Sequence, residues 1–177
     1  MRCIVVMLAA AAMAAAQQTR EVTNHSAGDA KANDPRVPDV YAIDACNFER
    51  VVILRFKYQT DLLAGLERMV KENHIRNGVI LAAVGSVTGY QVHQVVNATF
   101  PSKIMLEEKA DGPADLIGMN GYIMNGRLHP HITLATPQNA FGGHLEPGTK
   151  VFTFAIVTVG VLPDNLDLTK LDDKDHR

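Results

Sequence analysis

Hydrophobic positions along this chain fall mainly into short continuous runs rich in β-branched residues, bounded by glycine, proline, asparagine and aspartate. Runs of this kind predict strands. The predicted strands span 51–56, 79–84, 87–96, 104–107, 116–124, 128–135 and 151–161. Gly85-Ser86 is predicted to be a turn between the second and third of them. Asn125-Gly126 predicts a tight hairpin between two others, because both residue types tolerate positive φ.

One segment has helical spacing instead. Its apolar residues recur every three or four positions, which places them on one face of a helix; they are Leu62, Leu63, Leu66, Met69 and Val70. Thr60 is predicted to cap this helix, with Asp61 in the first turn near the positive end of the dipole. Asn77-Gly78 is predicted to end it in the left-handed conformation.

A single helix among many strands predicts an α+β fold, with a sheet packed on one principal helix. The chain has 177 residues, enough for one domain with one core. We place this domain at residues 41–163, between a polar, turn-rich leader at 17–40 and a charged tail at 164–177, both expected to be flexible.

Residues 1–16 have the pattern of a signal peptide. Met1-Arg2 is a short positive region, an apolar run follows, and the small residues Ala14 to Ala16 precede Gln17. The run is shorter than the ~20 residues that span a bilayer as a helix. The sequence therefore predicts an exported protein, periplasmic or secreted, without membrane association after cleavage. Cys46 would then be the one cysteine left and is expected to be a small buried residue.

The charge balance argues against a nucleic-acid binder. The chain has 17 Lys and Arg against 19 Asp and Glu, and removing residues 1–16 takes a further arginine away. Proteins that bind nucleic acid through their surface charge usually carry a basic excess.

The candidate chemistry lies in three histidines. His129 and His131 are two residues apart, so in a strand both imidazoles point to the same face. Pro130 between them suggests an edge strand, since it has no N–H to donate. His144 follows Gly142-Gly143, which would allow a close backbone turn toward the pair. Three neutral imidazoles can hold zinc with one open position, whereas histidines on a sheet also occur without any metal.

Other polar residues could assist these imidazoles. A carboxylate could act as a base or as a hydrogen-bonding partner of an imidazole; the candidates are Asp115, Glu107, Glu108 and Glu146. His74 and His93 are interpreted as ordinary surface or capping residues, and His25 and His176 fall in the flexible ends. No phosphate-binding glycine loop, Gly-x-Ser-x-Gly elbow or Cys-x-x-Cys pair occurs.

Taken in order, several segments resemble the PPC (plants and prokaryotes conserved, DUF296) domain family over roughly residues 48–162. They are the strand with Arg55, the amphipathic helix, Ile80-Leu81-Ala82-Ala83-Val84-Gly85-Ser86-Val87, Asp115-Leu116-Ile117-Gly118-Met119-Asn120-Gly121, His129-Pro130-His131 and Gly142-Gly143-His144-Leu145. In this chain Asp115 stands where the family usually has glutamate, and Gln59 stands at a turn position that is often glycine.

The resemblance implies a PPC-like α+β domain with a mainly antiparallel sheet packed with one principal helix, assembled as a homotrimer. It also implies that His129, His131 and His144 are ligands of zinc or another divalent transition metal. Family members are often labelled as predicted DNA-binding proteins, but this chain lacks the Arg-Gly-Arg-Pro core of the plant members' AT-hooks.

Three hypotheses follow. The first is an exported trimeric module that binds a metal and a small-molecule ligand without turnover. The second is a zinc-dependent hydrolase or lyase in which a zinc-held water is the nucleophile. The third is DNA binding, which requires a basic stripe and salt-sensitive association. The sequence does not identify catalytic residues or a substrate.

Overall fold

A computed structural model describes residues 18–23, 40, 42–45, 47–168 and 171. Outside the described residues lie the predicted signal peptide, most of the predicted leader, Cys46, His25, His176 and most of the charged tail. Their interpretations remain predictions.

The described part of the chain forms one antiparallel sheet and one helix. The elements are β1 (Gln18–Thr23), β2 (Arg50–Lys57), α1 (Leu62–Glu72), β3 (Asn77–Val95), β4 (Lys103–Lys109), β5 (Ala114–Met124), β6 (Arg127–Ala135), β7 (Ala140–Leu145) and β8 (Lys150–Leu162). The sheet follows the order β1-β4-β3-β5-β6-β7, and β8 pairs with both β2 and β3. The mainly antiparallel sheet is as predicted. With only 11 helical residues in α1, the term α+β describes this fold roughly.

The predicted turn at Gly85-Ser86 is wrong. These residues lie inside β3, which runs unbroken from Asn77 to Val95. Gly85 has φ of 154°, and the register between β3 and β8 shifts around it. Glycine at this point therefore bends a long strand at a bulge. The hairpin at Asn125-Gly126 is confirmed, with both residues at positive φ between β5 and β6.

Both ends of the predicted helix were misplaced. Asp61 is the N-cap, because its carboxylate accepts the Ala64 N–H at 3.0 Å and also the Gly148 N–H at 2.7 Å. The helix ends at Glu72 with Asn73 as C-cap, and His74 has the left-handed φ of 51°. Asn77, predicted to be part of the cap, is fully buried at the start of β3.

Two strands were absent from the prediction. β7 occupies residues interpreted as a glycine turn, and β1 forms within the segment predicted to be a flexible leader. β1 pairs along its length with β4, and Glu21 contacts Lys103 at 3.0 Å. Both strands are weakly patterned. β1 gains its hydrogen bonds from β4, which is distant in sequence, and β7 gains them from the preceding strand β6 and from the distant β3.

The core lies between α1 and one face of the sheet. Leu62 and Leu66 of α1 are fully buried, as are Val157 and Val159 of β8. The first part of the tail also packs, because Asn77 donates to the carbonyls of Pro163 and Leu166 and Leu168 is buried. In the described residues, no helix is long and apolar enough to cross a membrane.

Candidate metal centre

The alternation of side chains along β6 places two histidines on the outer side of the sheet. Pro130, Ile132 and Leu134 are buried, whereas His129 and His131 are exposed. β6 lies between β5 and β7, so the predicted edge strand is wrong for the sheet as a whole. Its pairing with β7 starts only at His131, and Pro130 pairs with β5 alone.

β7 brings the third histidine to the pair. His144 is opposite His131 of β6 and also opposite His93 of β3. Gly142 and Gly143 lie within β7 rather than in a turn. A Cβ on Gly142 would overlap the carbonyl oxygen of Ile132, and one on Gly143 would overlap that of His93. The two glycines therefore allow β7 to approach β6 and β3 closely.

The three imidazoles converge on one point. We call His129, His131 and His144 the histidine cluster; their ligand nitrogens all lie within 4.8 Å of one another. The Nε2 atoms of His129 and His131 are 3.3 Å apart, and their rings are 19° from parallel. The ring of His144 stands nearly edge-on to both, at 77° and 89°.

The donor set fits a divalent transition metal. With metal–nitrogen bonds of 2.0–2.1 Å, two ligands at a tetrahedral angle are separated by roughly 3.3–3.4 Å. The Nε2 atoms of His129 and His131 already have this separation of 3.3 Å. Closing the longest separation, 4.8 Å, needs a shift of roughly 1.4 Å, within reach of imidazole rotation.

The cluster favours neutral imidazoles, the form that binds metals. Burial lowers the pKa of His144 from 6.5 to about 4, and repulsion from His93, His129 and His131 adds to this effect. Burial also lowers the pKa of His131, helped by His129 and His93. At neutral pH both rings therefore have a free lone pair.

The shifted pKa of His144 predicts a pH dependence of stability in the metal-free protein. Below pH 6.5 the unfolded chain takes up a proton on His144, whereas the folded chain resists it until about pH 4. Its contribution to stability is therefore present above pH 6.5 and is lost as the pH falls toward 4. In urea denaturation with a chelator, the free energy of unfolding should decline less steeply with falling pH for His144→Gln than for the parent. The exposed His74→Gln is the control, and identical declines in all three proteins would contradict the prediction.

A fourth histidine was missed by the sequence interpretation. His93 stacks on His144, with ring centroids 4.7 Å apart, and its Nδ1 lies 2.5 Å from Oε1 of Glu146. Glu146 had been considered only as one of four candidate carboxylates. Its position two residues after His144 was the available signal, but the pairing with His93 depends on β3 and β7 being neighbours.

The other candidate carboxylates lie elsewhere. Asp115 pairs with Ala135 at the far end of β6 and lines a separate cleft that includes Ser86. Glu107 is close enough to Tyr90 to add to the burial that raises the pKa of that phenol. Glu146 contacts His93, the imidazole that stacks on His144 of the cluster.

The chain is similar in sequence to a known protein family and to curated proteins. The family model of the Plants and Prokaryotes Conserved (PCC) domain matches residues 43–163. The bifunctional protein GlmU of Synechococcus sp. (strain JA-3-3Ab) is 29% identical over 119 residues, 67% of this chain and 18% of the relative. The chain thus spans less than a fifth of the length of this curated relative.

Solved structures share the fold. The metal-containing protein AF0104 from Archaeoglobus fulgidus superposes with a TM-score of 0.59 at 21% identity, covering 73% of this chain and 89% of its own. A Ralstonia eutropha JMP134 protein, provisionally named as DNA-binding, has a TM-score of 0.53 at 20% identity, covering 65% and 80%. At these identities the likeness concerns the fold alone.

Proposed function

This chain belongs to the Plants and Prokaryotes Conserved domain family, and we propose that it is a metal-binding module whose ion is held by His129, His131 and His144. The observation that carries the proposal is the 3.3 Å separation of the Nε2 atoms of His129 and His131, with His144 converging on them. Zinc or another divalent transition metal suits three imidazoles. The metal-containing relative from Archaeoglobus fulgidus supports the same proposal.

Three protein ligands would leave a coordination position open. Structural zinc sites are usually closed by four protein ligands, whereas sites with three leave room for water or a ligand. His93 does not belong to the group of three ligand nitrogens that lie within 4.8 Å of one another; it stacks on His144, and its Nδ1 contacts Glu146. We therefore propose that the centre also binds a small molecule.

A zinc-dependent hydrolase or lyase is the second candidate. The His93–Glu146 pair favours it, because a carboxylate-bound imidazole beside a Lewis acid can accept a proton from a reacting group. DNA binding is the weakest candidate for a chain with a formal net charge of −2.

Assembly and export are part of the proposal. We propose a homotrimer, as the resemblance implies, and large apolar side chains exposed on the sheet support association; they include Ile53, Leu81, Val84, Ile117 and Phe154. Export rests on the pattern of residues 1–16.

Elemental analysis of the purified protein after zinc loading tests the proposed centre. We expect about one ion per chain in the parent and none retained in His131→Ala, which lacks one of three ligands. His93→Ala is the matched control: His93 stacks on His144 but is not one of the three proposed ligands, so this variant should keep the stoichiometry of about one ion per chain.

A parent that retains no metal, or a His131→Ala variant that retains as much, would overturn the proposed centre. Light scattering on the same samples gives the subunit number, and mass spectrometry gives the first residue of the exported chain. An ester hydrolysis assay on the zinc-loaded parent and His93→Ala separates the enzyme from the binding module.

A further inference from the structure

An apolar recess opens beside the histidine cluster. It is lined by Tyr122, Met124, His129 and Leu171 and has a volume of about 410 Å³. We call the space that these four residues line the apolar recess. Its polar groups are the hydroxyl of Tyr122 and the imidazole of His129, whose Nε2 faces that of His131 at 3.3 Å. A molecule in the recess would therefore contact apolar side chains at one end and the cluster at the other.

The hairpin of β5 and β6 and a segment near the C-terminal end of the described residues build the recess. Tyr122 of β5 is the register partner of His129 on β6, so the two side chains lie on one face of the sheet. Met124 is two residues further along β5. Leu171 comes from the segment predicted to be a solvated tail, and its N–H donates to the Leu168 carbonyl, which anchors it to a buried residue.

The recess leaves large apolar groups exposed to solvent. Tyr122 is 50% exposed and Leu171 is 42% exposed. Contact with an apolar ligand would remove this surface from water, which is favourable in proportion to the area covered. Since ligand cavities usually measure about 300–1,000 Å³, a recess of this volume suits a small ligand.

The charge at the proposed metal centre determines which chemical group the other end of the ligand carries. None of the four lining residues is an acid or a strong base. A divalent cation on three neutral imidazoles would carry its full +2 charge. The carboxylate of Glu146 is directed to His93 at 2.5 Å and is not one of the cluster's three members. A centre with this charge and an open position attracts an anionic oxygen ligand.

We propose that the centre binds a small monocarboxylate whose apolar body, an aromatic ring or branched chain, occupies the apolar recess. The carboxylate lies toward the cluster, and the body packs against Tyr122 and Leu171. This inference rests on the proposed metal centre.

Titration of the cobalt-loaded full chain with three probes tests the proposal. Benzoate has both the charge and the body, benzamide keeps the body without the charge, and acetate keeps the charge with almost no body. Cobalt absorption and isothermal titration calorimetry report binding independently of any turnover. We expect benzoate to bind at least about tenfold more tightly than either acetate or benzamide, since covering a ring and pairing a charge each contribute free energy of this order.

Variants locate the body of the ligand. Tyr122→Ala and Leu171→Ser should each weaken benzoate binding about tenfold at equal cobalt occupancy. Tyr58→Ala is the control, because Tyr58 is similarly exposed at 57% but lies outside the recess. It should bind benzoate like the parent.

The outcomes separate the two proposals. A parent that does not bind cobalt overturns the metal centre. A parent that binds cobalt yet gives equal affinities for benzoate and acetate, or shows no effect of Tyr122→Ala and Leu171→Ser, overturns the apolar recess as the ligand site. Equal affinities for benzoate and benzamide overturn the anionic class.

Discussion

Replacing Leu134 with alanine is expected to lower the free energy of unfolding by about 2–5 kcal/mol. Leu134 is fully buried on β6, where it belongs to the core cluster on the face opposite the histidines. Truncation removes apolar atoms from a packed environment and leaves a cavity that its neighbours fill only in part. Urea denaturation of the metal-free parent and variant, compared at equal m-values, measures the loss.

Thr133→Ala is the matched control for that experiment. Thr133 is the adjacent residue of β6 and points to the exposed face. Its replacement should change the free energy of unfolding by no more than about 0.5 kcal/mol. Equal losses at positions 133 and 134 would contradict the assignment of the two faces of β6.

Gly121→Ala is expected to cost about 2–5 kcal/mol in the free energy of unfolding, as the sum of backbone strain and steric overlap. Gly121 has φ of 144°, in a region that other residues rarely adopt. A Cβ at this position would overlap the carbonyl oxygen of His129 and lie 2.9 Å from the Cα of Pro130. Since these are backbone atoms, a rotamer change cannot relieve the contact.

Gly118→Ala on the same strand tests whether the effect comes from position rather than from the loss of a glycine. A Cβ on Gly118 would have no atom within 4 Å. We expect this variant to be neutral or more stable by up to about 1 kcal/mol, because alanine restricts the unfolded chain. The thermal melting temperatures of Gly121→Ala and Gly118→Ala test this expectation, and similar melting temperatures would refute the proposed role of Gly121.

Replacing Gly121 is expected to affect the histidine cluster as well as the free energy of unfolding. Its neighbour Tyr122 is opposite His129, and Asn120 is opposite His131. A displacement of β5 from β6 at residue 121 would therefore reach both histidines and one wall of the apolar recess. Any Gly121→Ala protein that folds should show an altered cobalt spectrum when loaded.

Local sequence patterns predicted much of this fold. The β-branched run of β2 and the alternation in β6 are properties of neighbouring residues, and so is the turn preference of Asn125-Gly126. The pair of His129 and His131 follows in the same way, because a two-residue repeat is enough to place two side chains on one face.

The predictions that failed concern segments whose structure depends on pairing with another strand. Gly85 was interpreted as a turn because a glycine in isolation does not distinguish a turn from a bulge. The difference arises from the register of β3 against β8. Likewise, β7 contains two adjacent glycines and has little strand propensity of its own, and pairing with β6 and β3 stabilises it.

The sequence by itself determined most of the strands and the shared face of the two histidines of β6, because each depends on spacing over a few residues. The ordered series of segments along the chain carried the family resemblance and the antiparallel sheet that it implies. The resemblance implied His144 as a third ligand, and the tertiary structure decided how it reaches the pair, as a register partner of His131 within β7. The tertiary structure alone decided that His93 stacks on His144 while bound to Glu146, and that Leu171 adjoins His129. These contacts join strands and a tail far apart in the chain. Such neighbours are chosen by the burial of the whole sheet and by its register, which no short stretch of sequence specifies.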